Sequence, residues 1–301
     1  MELDTLDMSV KKALDFFTKN PPAYFATGQY DLPLVIGSGN AYNTGAILFA
    51  GRTAILANES NLKEIVRGYQ PLIKKKMIDT AIIISASGEK DSIWEIELCQ
   101  KNQLKTVLLT CSPKSSAAKI ADRTFAYRKL PEPYTYNVST YLGMILGAEN
   151  GKAREIATWI KKQRLPKDFF TYKSFSFILP DRFENICPML DIKRNELFGN
   201  RLSIRAFSHG QARHAKFVHP DQQEMVISIG ENKYFGQNRW LIKEPANLGF
   251  AGVMAFTYYI IGLIQDKRTP WFKRNIKQYC LESGPKAYGH NKPFDIIVPG
   301  N

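Results

Sequence analysis

The stretch Thr80 to Ser92, TAIIISASGEKDS, constrains this chain more than any other. Ala81 to Ile84 is a continuous apolar run, mostly β-branched, as in a buried central strand, and it stops abruptly at small hydroxylic residues and a glycine. Asp91 to Gln100 then reads as a helix, so strand, Ser/Gly turn and helix N-terminus follow one another. Ser85, Ser87 and Ser92 offer hydroxyls, and Gly88 admits close approach to the backbone. Unpaired N–H groups and the positive end of the helix dipole meet at such a turn, which suits the phosphate of a sugar or a nucleotide. The same residues also suit a β-to-α turn with serine caps, and the stretch by itself leaves both readings open.

The same parts recur upstream. Leu32 to Ile36 reads as a strand, Gly37, Ser38, Gly39 and Asn40 as a turn, and Ala41 to Ala50 as a helix. Further strands at Thr53–Ala57, Thr106–Thr110 and Arg123–Tyr127 alternate with helices at Asn61–Gly68 and Ser115–Ala121, the pattern of a doubly wound parallel sheet. In such a sheet the two turns face one another across the carboxyl edge, where ligands bind. The Gly37–Gly39 pair lacks the third glycine of a dinucleotide fingerprint, which argues against a nicotinamide cofactor, and no other cofactor is indicated.

A chain of 301 residues has room for two domains. No apolar run reaches the roughly 18 to 20 residues that span a bilayer, and Leu248 to Ile264, the longest, reads as a buried helix. The start, MELDTLDMSVKKALDFF, has the apolar spacing of one helix face and no basic leader, so a cytoplasmic location is expected. Four scattered cysteines form no CxxC pair, and His209, His214 and His219 lack metal-ligand spacing, so no metal is expected. The formal charge of +13 favours an anionic partner, but the basic residues are spread out and no nucleic-acid module accompanies them.

Past Pro131-Glu132-Pro133, helices are expected at Tyr134–Ala148, Lys152–Gln163 and 184–198. Ser174–Leu179 and Met225–Gly230 read as strands, and Leu202–Phe207 as a strand or helix end. This half is a second α/β unit with a poorer phosphate turn, since Pro180-Asp181-Arg182-Phe183 stands where the first half has glycines. Domain boundaries are therefore placed at 1–28 for an N-terminal helix, 29–150, and 151–301 including a carboxyl tail with Lys286, His290 and Lys292.

IIISASGEKDSIWEIELCQ, followed by TVLLT, SSAAKIAD and PEPYTYNVSTY, resembles the sugar isomerase (SIS) domain over about residues 30 to 148. Lys193-Arg194-Asn195-Glu196-Leu197 and Ala206-Phe207-Ser208-His209-Gly210-Gln211 more faintly resemble the second domain of double-SIS isomerases, the latter at their E-x-x-H-G-P segment. The resemblance implies two three-layer α/β/α domains with mostly parallel sheets, the second degenerate. It implies a phosphorylated sugar bound by Gly37, Ser38, Gly39, Asn40, Ser85, Ser87, Gly88, Lys90, Ser92 and Glu132, with the site between the halves or across a homodimer interface. Glu196 is then the candidate base and His209 the ring-opening group of an aldose-ketose isomerase, or of a related amino-sugar-phosphate deaminase or deglycase. Two departures are visible. Glu89-Lys90 replaces the threonine expected after the serine core, and Ala206 and Gln211 replace the motif's glutamate and proline. The second departure favours the alternative of a non-catalytic phosphosugar sensor.

Overall fold

The structure, a computed structural model, describes residues 3–217, 221–244, 246–268, 271–289 and 291–301; His219 and His290 lie outside the described residues. The elements in order are α1 (Leu6–Lys19), β1 (Leu34–Ile36), α2 (Asn40–Leu48), β2 (Ile55–Ala57), α3 (Leu62–Gly68), α4 (Gln70–Lys74), β3 (Thr80–Ile84), α5 (Asp91–Lys101), β4 (Lys105–Thr110), α6 (Ser116–Ile120) and β5 (Arg123–Ala126). Then come β6 (Glu132–Pro133), α7 (Val138–Glu149), α8 (Ala153–Lys162), β7 (Ser174–Leu179), α9 (Cys187–Phe198), β8 (Ser203–Ser208), α10 (His209–Ala215), β9 (Glu224–Ile229), β10 (Asn238–Ile242), α11 (Gly249–Lys267), α12 (Trp271–Gln278), α13 (Gly284–Ala287) and β11 (Ile297–Val298). They group into two compact units, one of Asn20–Leu130, Ser139–Gly151 and Asn301, the other of Met1–Lys19, Pro131–Val138 and Lys152–Gly300.

The first of these units is built on a fully parallel five-stranded sheet in the order β2-β1-β3-β4-β5. Every residue of β3 is buried, as its uninterrupted apolar run requires of a central strand. Strand alternation sends Leu34, Ile36, Ala81, Ile83 and Leu108 to one face, where they pack with Leu62 and Val66 of α3 and Ile96 and Cys99 of α5. α2 lies against Val35 and Ile84, which alternation sends to the other face, and it does so through a glycine. A Cβ on Gly45 would stand 2.8 Å from Val35 Cγ1 and 3.2 Å from Ile84 Cδ1.

The other unit holds a four-stranded parallel sheet in the order β10-β9-β7-β8, and β11 pairs antiparallel with β6. The expected face of α1, Leu6, Val10, Ala13, Leu14 and Phe17, is buried against α8 and α11. Gln265 of α11 accepts from Leu6 N at 2.9 Å and donates to the Tyr136 hydroxyl at 2.9 Å. The expected apolar helix is α11, with Ala251 to Tyr258 all buried. Tyr134 to Asn137, expected as the start of a helix, is not helical: Thr135 and Asn137 hold φ of 74° and 48°, outside the helical region, and α7 begins at Val138. β10, not anticipated, alternates exposed Arg239 and Leu241 with buried Trp240 and Ile242, as a half-buried edge strand does.

A Cβ on Gly262 would fall 1.9 Å from Asp7 N, so only glycine lets α11 meet the start of α1. Gly262→Ala is expected to destabilise the protein by about 2 kcal/mol or more through overpacking against backbone, read as a lower urea midpoint with unchanged slope.

Candidate functional site

β1 connects to β2 on one side of the sheet and β3 to β4 on the other, so the strand order reverses between β1 and β3. Ligands of open α/β sheets bind in the crevice outside the carboxyl ends at such a point. Gly37–Asn40 and Ser85–Lys90 follow these two strands. Their glycines have different reasons. A Cβ on Gly37 would lie 2.7 Å from the Ala41 carbonyl carbon, so glycine there lets the chain turn onto α2. Gly39 holds φ 55° and ψ −121°, and nothing stands within 4 Å of where its Cβ would be. Ser38, partly exposed, accepts through its carbonyl from Ala41 N at 3.0 Å. Asn40, 7% exposed, leaves its Oδ1 without a hydrogen-bond partner.

In the serine turn, Ser85 Oγ accepts from Gly88 N at 3.1 Å and Ser87 Oγ from Glu89 N at 3.3 Å. A hydroxyl used as acceptor keeps its hydrogen to donate, so both can still serve an anion. Ser92 Oγ donates to Glu89 O at 2.8 Å, which fastens the turn. Gly88, at φ 62°, owes its identity to α6: a Cβ would stand 2.0 Å from Ser115 Oγ. Glu89 Oε1 accepts from Ser116 N at 2.9 Å, so this carboxylate is tied to α6 as well. Lys90 caps α5 at φ 58° and ψ −126°, nearly the conformation of Gly39 at the head of α2. A non-glycine residue there is strained by about 1 to 3 kcal/mol. Burial pulls the Lys90 ammonium below its ordinary pKa, against the opposing pull of Asp91.

Glu95, which the sequence reading did not single out, lies one turn into α5. It is 2% exposed, and its Oε1 has no hydrogen-bond partner. Burial above all, then the charges of Asp91 and Glu59, push its carboxyl up to about 7. Its place on the face of Ile96 and Cys99, four residues after Asp91, was the available signal.

The residues expected from the second half lie in the other unit. Glu196 on α9 is 23% exposed and bonded at 2.5 Å to Lys193 Nζ, which is fully buried and also donates to Thr135 O at 2.6 Å. Burial raises the Glu196 carboxyl more than Lys193 lowers it. His209 opens α10, whose head is closed by a capping box between Ser208 and Gln211. Asp181 Oδ1 accepts from Gly210 N at 2.6 Å, and this bond is the main cause of its lowered carboxyl pKa. A carboxylate of the chain thus occupies the place an anion would take. Beside it opens a cleft of about 670 Å³ lined by Asp181, Glu184, Ser208, Gly210, Gln211 and His214, but not by His209. Glu132, 5% exposed, accepts at 2.8 Å from Val138 N and so caps α7. No hydrogen bond joins Glu196 to His209 among the described residues. Among those residues, too, no three His, Cys, Asp or Glu side chains are grouped to hold a metal, and no helix is long and apolar enough to cross a membrane.

Residues 34–147 match the model of the SIS domain. Similar solved structures include a glucosamine-6-phosphate deaminase from Thermotoga maritima, 14% identical with a TM-score of 0.57 over 86% of this chain and 91% of that one. The C-terminal domain of a glucosamine-fructose-6-phosphate aminotransferase from Francisella tularensis is 11% identical, with a TM-score of 0.56 over 87% and 94%. A tagatose-6-phosphate ketose/aldose isomerase from Escherichia coli is 13% identical, with a TM-score of 0.53 over 87% and 89%. At these identities the likeness is one of fold. No curated protein sequence matches the chain.

The raised Glu95 pKa fixes a sign. Its contribution to stability is fully present below about 4.5 and is lost as pH rises through about 7. Glu95→Gln, which cannot ionise, is expected to match the parent near pH 5 and to exceed it by about 2 kcal/mol at pH 8, measured by urea unfolding at both pH values.

Proposed function

We propose that the chain binds a phosphorylated sugar through its SIS domain, the phosphate lying at the head of α5. The observation that carries this reading is the pair of Gly/Ser turns at the strand-order reversal, where Ser85 and Ser87 each retain a hydroxyl hydrogen and Gly39 faces open space. The expected ligand set is Gly37, Ser38, Gly39, Asn40, Ser85, Ser87 and Lys90. Ser92, Gly88 and Glu132 hold the frame. The similar solved structures include a sugar-phosphate deaminase and a ketose/aldose isomerase, which supports the same ligand class.

For the activity, we assign aldose-ketose isomerisation or the related deaminase or deglycase chemistry, within a double-SIS arrangement that forms a homodimer. Glu196 is the base and His209 the ring-opening group. Burial raises the Glu196 carboxyl, the direction that makes a carboxylate a stronger base. The second reading, a phosphosugar sensor without turnover, is favoured by one observation: Glu196 is held by Lys193, which also grips Thr135 O.

A thermal-shift screen with fructose 6-phosphate, glucose 6-phosphate and glucosamine 6-phosphate, against inorganic phosphate as control, tests the ligand class. Stabilisation by one sugar phosphate well beyond phosphate is expected, about 2.7 kcal/mol at 100 times its dissociation constant; no excess over phosphate refutes the reading. Glu196→Gln separates the two activities: the isomerase reading expects turnover lost with binding kept, and a sensor shows no turnover in either form. Lys90→Gly relieves the strained cap, so the unliganded protein should gain about 1 kcal/mol while sugar-phosphate affinity falls several-fold, seen by unfolding and titration together.

A further inference from the structure

Three acidic residues gather on the α5 side of the phosphate turn. Asp91 is the first residue of α5, Glu95 follows one turn later, and Glu59 comes from the loop after β2, close enough to act on Glu95 electrostatically. Glu95 is the enclosed member: it is 2% exposed with a partnerless Oε1, whereas Glu59 is exposed. No cation is among the groups that shift this carboxyl. The elements packed on α5 carry apolar Ala81 and Ile83 on β3 and Leu108 on β4, exposed Lys119 on α6, and Lys63 on α3, whose ammonium sits over the Trp94 ring at 5.6 Å. One turn further along α5 lies Cys99, whose buried thiol is pushed up to about 12.

At about 1.5 Å of rise per residue, Glu95 sits roughly 6 Å along the axis beyond the helix head. A phosphate ester brings a charge of about −1.5 to −2 to that head, and an enclosed carboxylate is poorly screened from a charge so near. The two negative charges oppose each other.

We propose that Glu95 is the proton-linked partner of the phosphate site: phosphate bound at the Ser85–Lys90 turn draws a proton from solvent onto the Glu95 carboxylate, and the ionised carboxylate weakens the phosphate. Linkage makes the effect reciprocal, so sugar-phosphate affinity declines as Glu95 loses its proton. The inference rests on the phosphate site proposed above and adds to it a charge-sensing residue that touches no ligand. A carboxyl that titrates near neutral pH gives the device its working range.

The test is calorimetric titration of the parent and Glu95→Gln with inorganic phosphate and with the sugar phosphate that shifts the melt most. It is run at pH 7.5 in buffers of different ionisation enthalpy and repeated at pH 6.5 and 8.5. The parent is expected to take up a fraction of a proton more per phosphate than Glu95→Gln. Its affinity should also fall about fivefold more between the outer pH values, the lower range of site-to-site couplings. Equal proton uptake and parallel pH profiles in the two proteins overturn the inference and leave the phosphate site standing. Failure of any sugar phosphate or phosphate to bind either protein overturns both. A melt of Glu95→Gln at least as high as the parent's at pH 8 certifies that the variant is folded.

Discussion

Parallel pairing of β1 with β3 is the constraint on which the candidate site depends. The register places Ile36 opposite Ile83, so the chain leaves both strands at the same edge and at nearly the same height. Parallel strands need crossover connections, and here those run in opposite directions, which clears the space between the two exits. Gly45 serves this arrangement from behind, because α2 must close on Val35 and Ile84 for its head to stand beside the serine turn. The helix heads themselves carry no side-chain cap hydrogen bond. Neither Gly39 nor Lys90 offers a side-chain cap, and both adopt a backbone conformation suited to glycine. A head without a side-chain cap on each helix is what an external anion requires and what stability alone would not select.

The other unit answers the same geometric situation differently. α10 begins at the carboxyl end of a parallel strand too, but Ser208, Gln211 and Asp181 satisfy its first N–H groups from within the chain. Gly210 is approached by Asp181 Oδ1, with 3.3 Å to the position of an added Cβ. Such a head has its donors already engaged and a negative charge in front of it. The two units therefore share a parallel α/β plan, but among the described residues the head of α10 is capped by side chains and those of α2 and α5 are not.

Most of the first unit was legible in the sequence because its signals are local. The run at Ala81–Ile84, the turns after Ile36 and Ile84, and the helix periods around them each report a structure formed by neighbours. What escaped was set from a distance. Tyr134 to Asn137 looks helical by pattern, but Lys193, 58 residues on, takes the Thr135 carbonyl, and Glu132 caps Val138. Gly88 reads as room for a ligand until Ser115 is seen to fill the space. Glu95 went unremarked in the sequence, because only the packing of α5 onto the sheet buries it while Glu97 stays exposed.

The formal charge of +13 looks like the natural source of affinity for a phosphate, but the residues around the turn argue otherwise. Asp91, Glu95 and Glu59 place negative charge close to the head of α5, and Lys90, the cation of the turn itself, is exposed and held at a strained position. Exposed charges farther off are screened within about 8 to 10 Å at physiological salt, whereas an enclosed carboxylate is screened far less. In the proposed phosphate site, attraction at the turn then rests on short-range donors: the Ser85 and Ser87 hydroxyls, the backbone N–H groups at the helix heads and one ammonium. Affinity built this way depends more on the geometry of the turn than on the net charge of the chain, which ties it to the β1–β3 register that sets the turn in place.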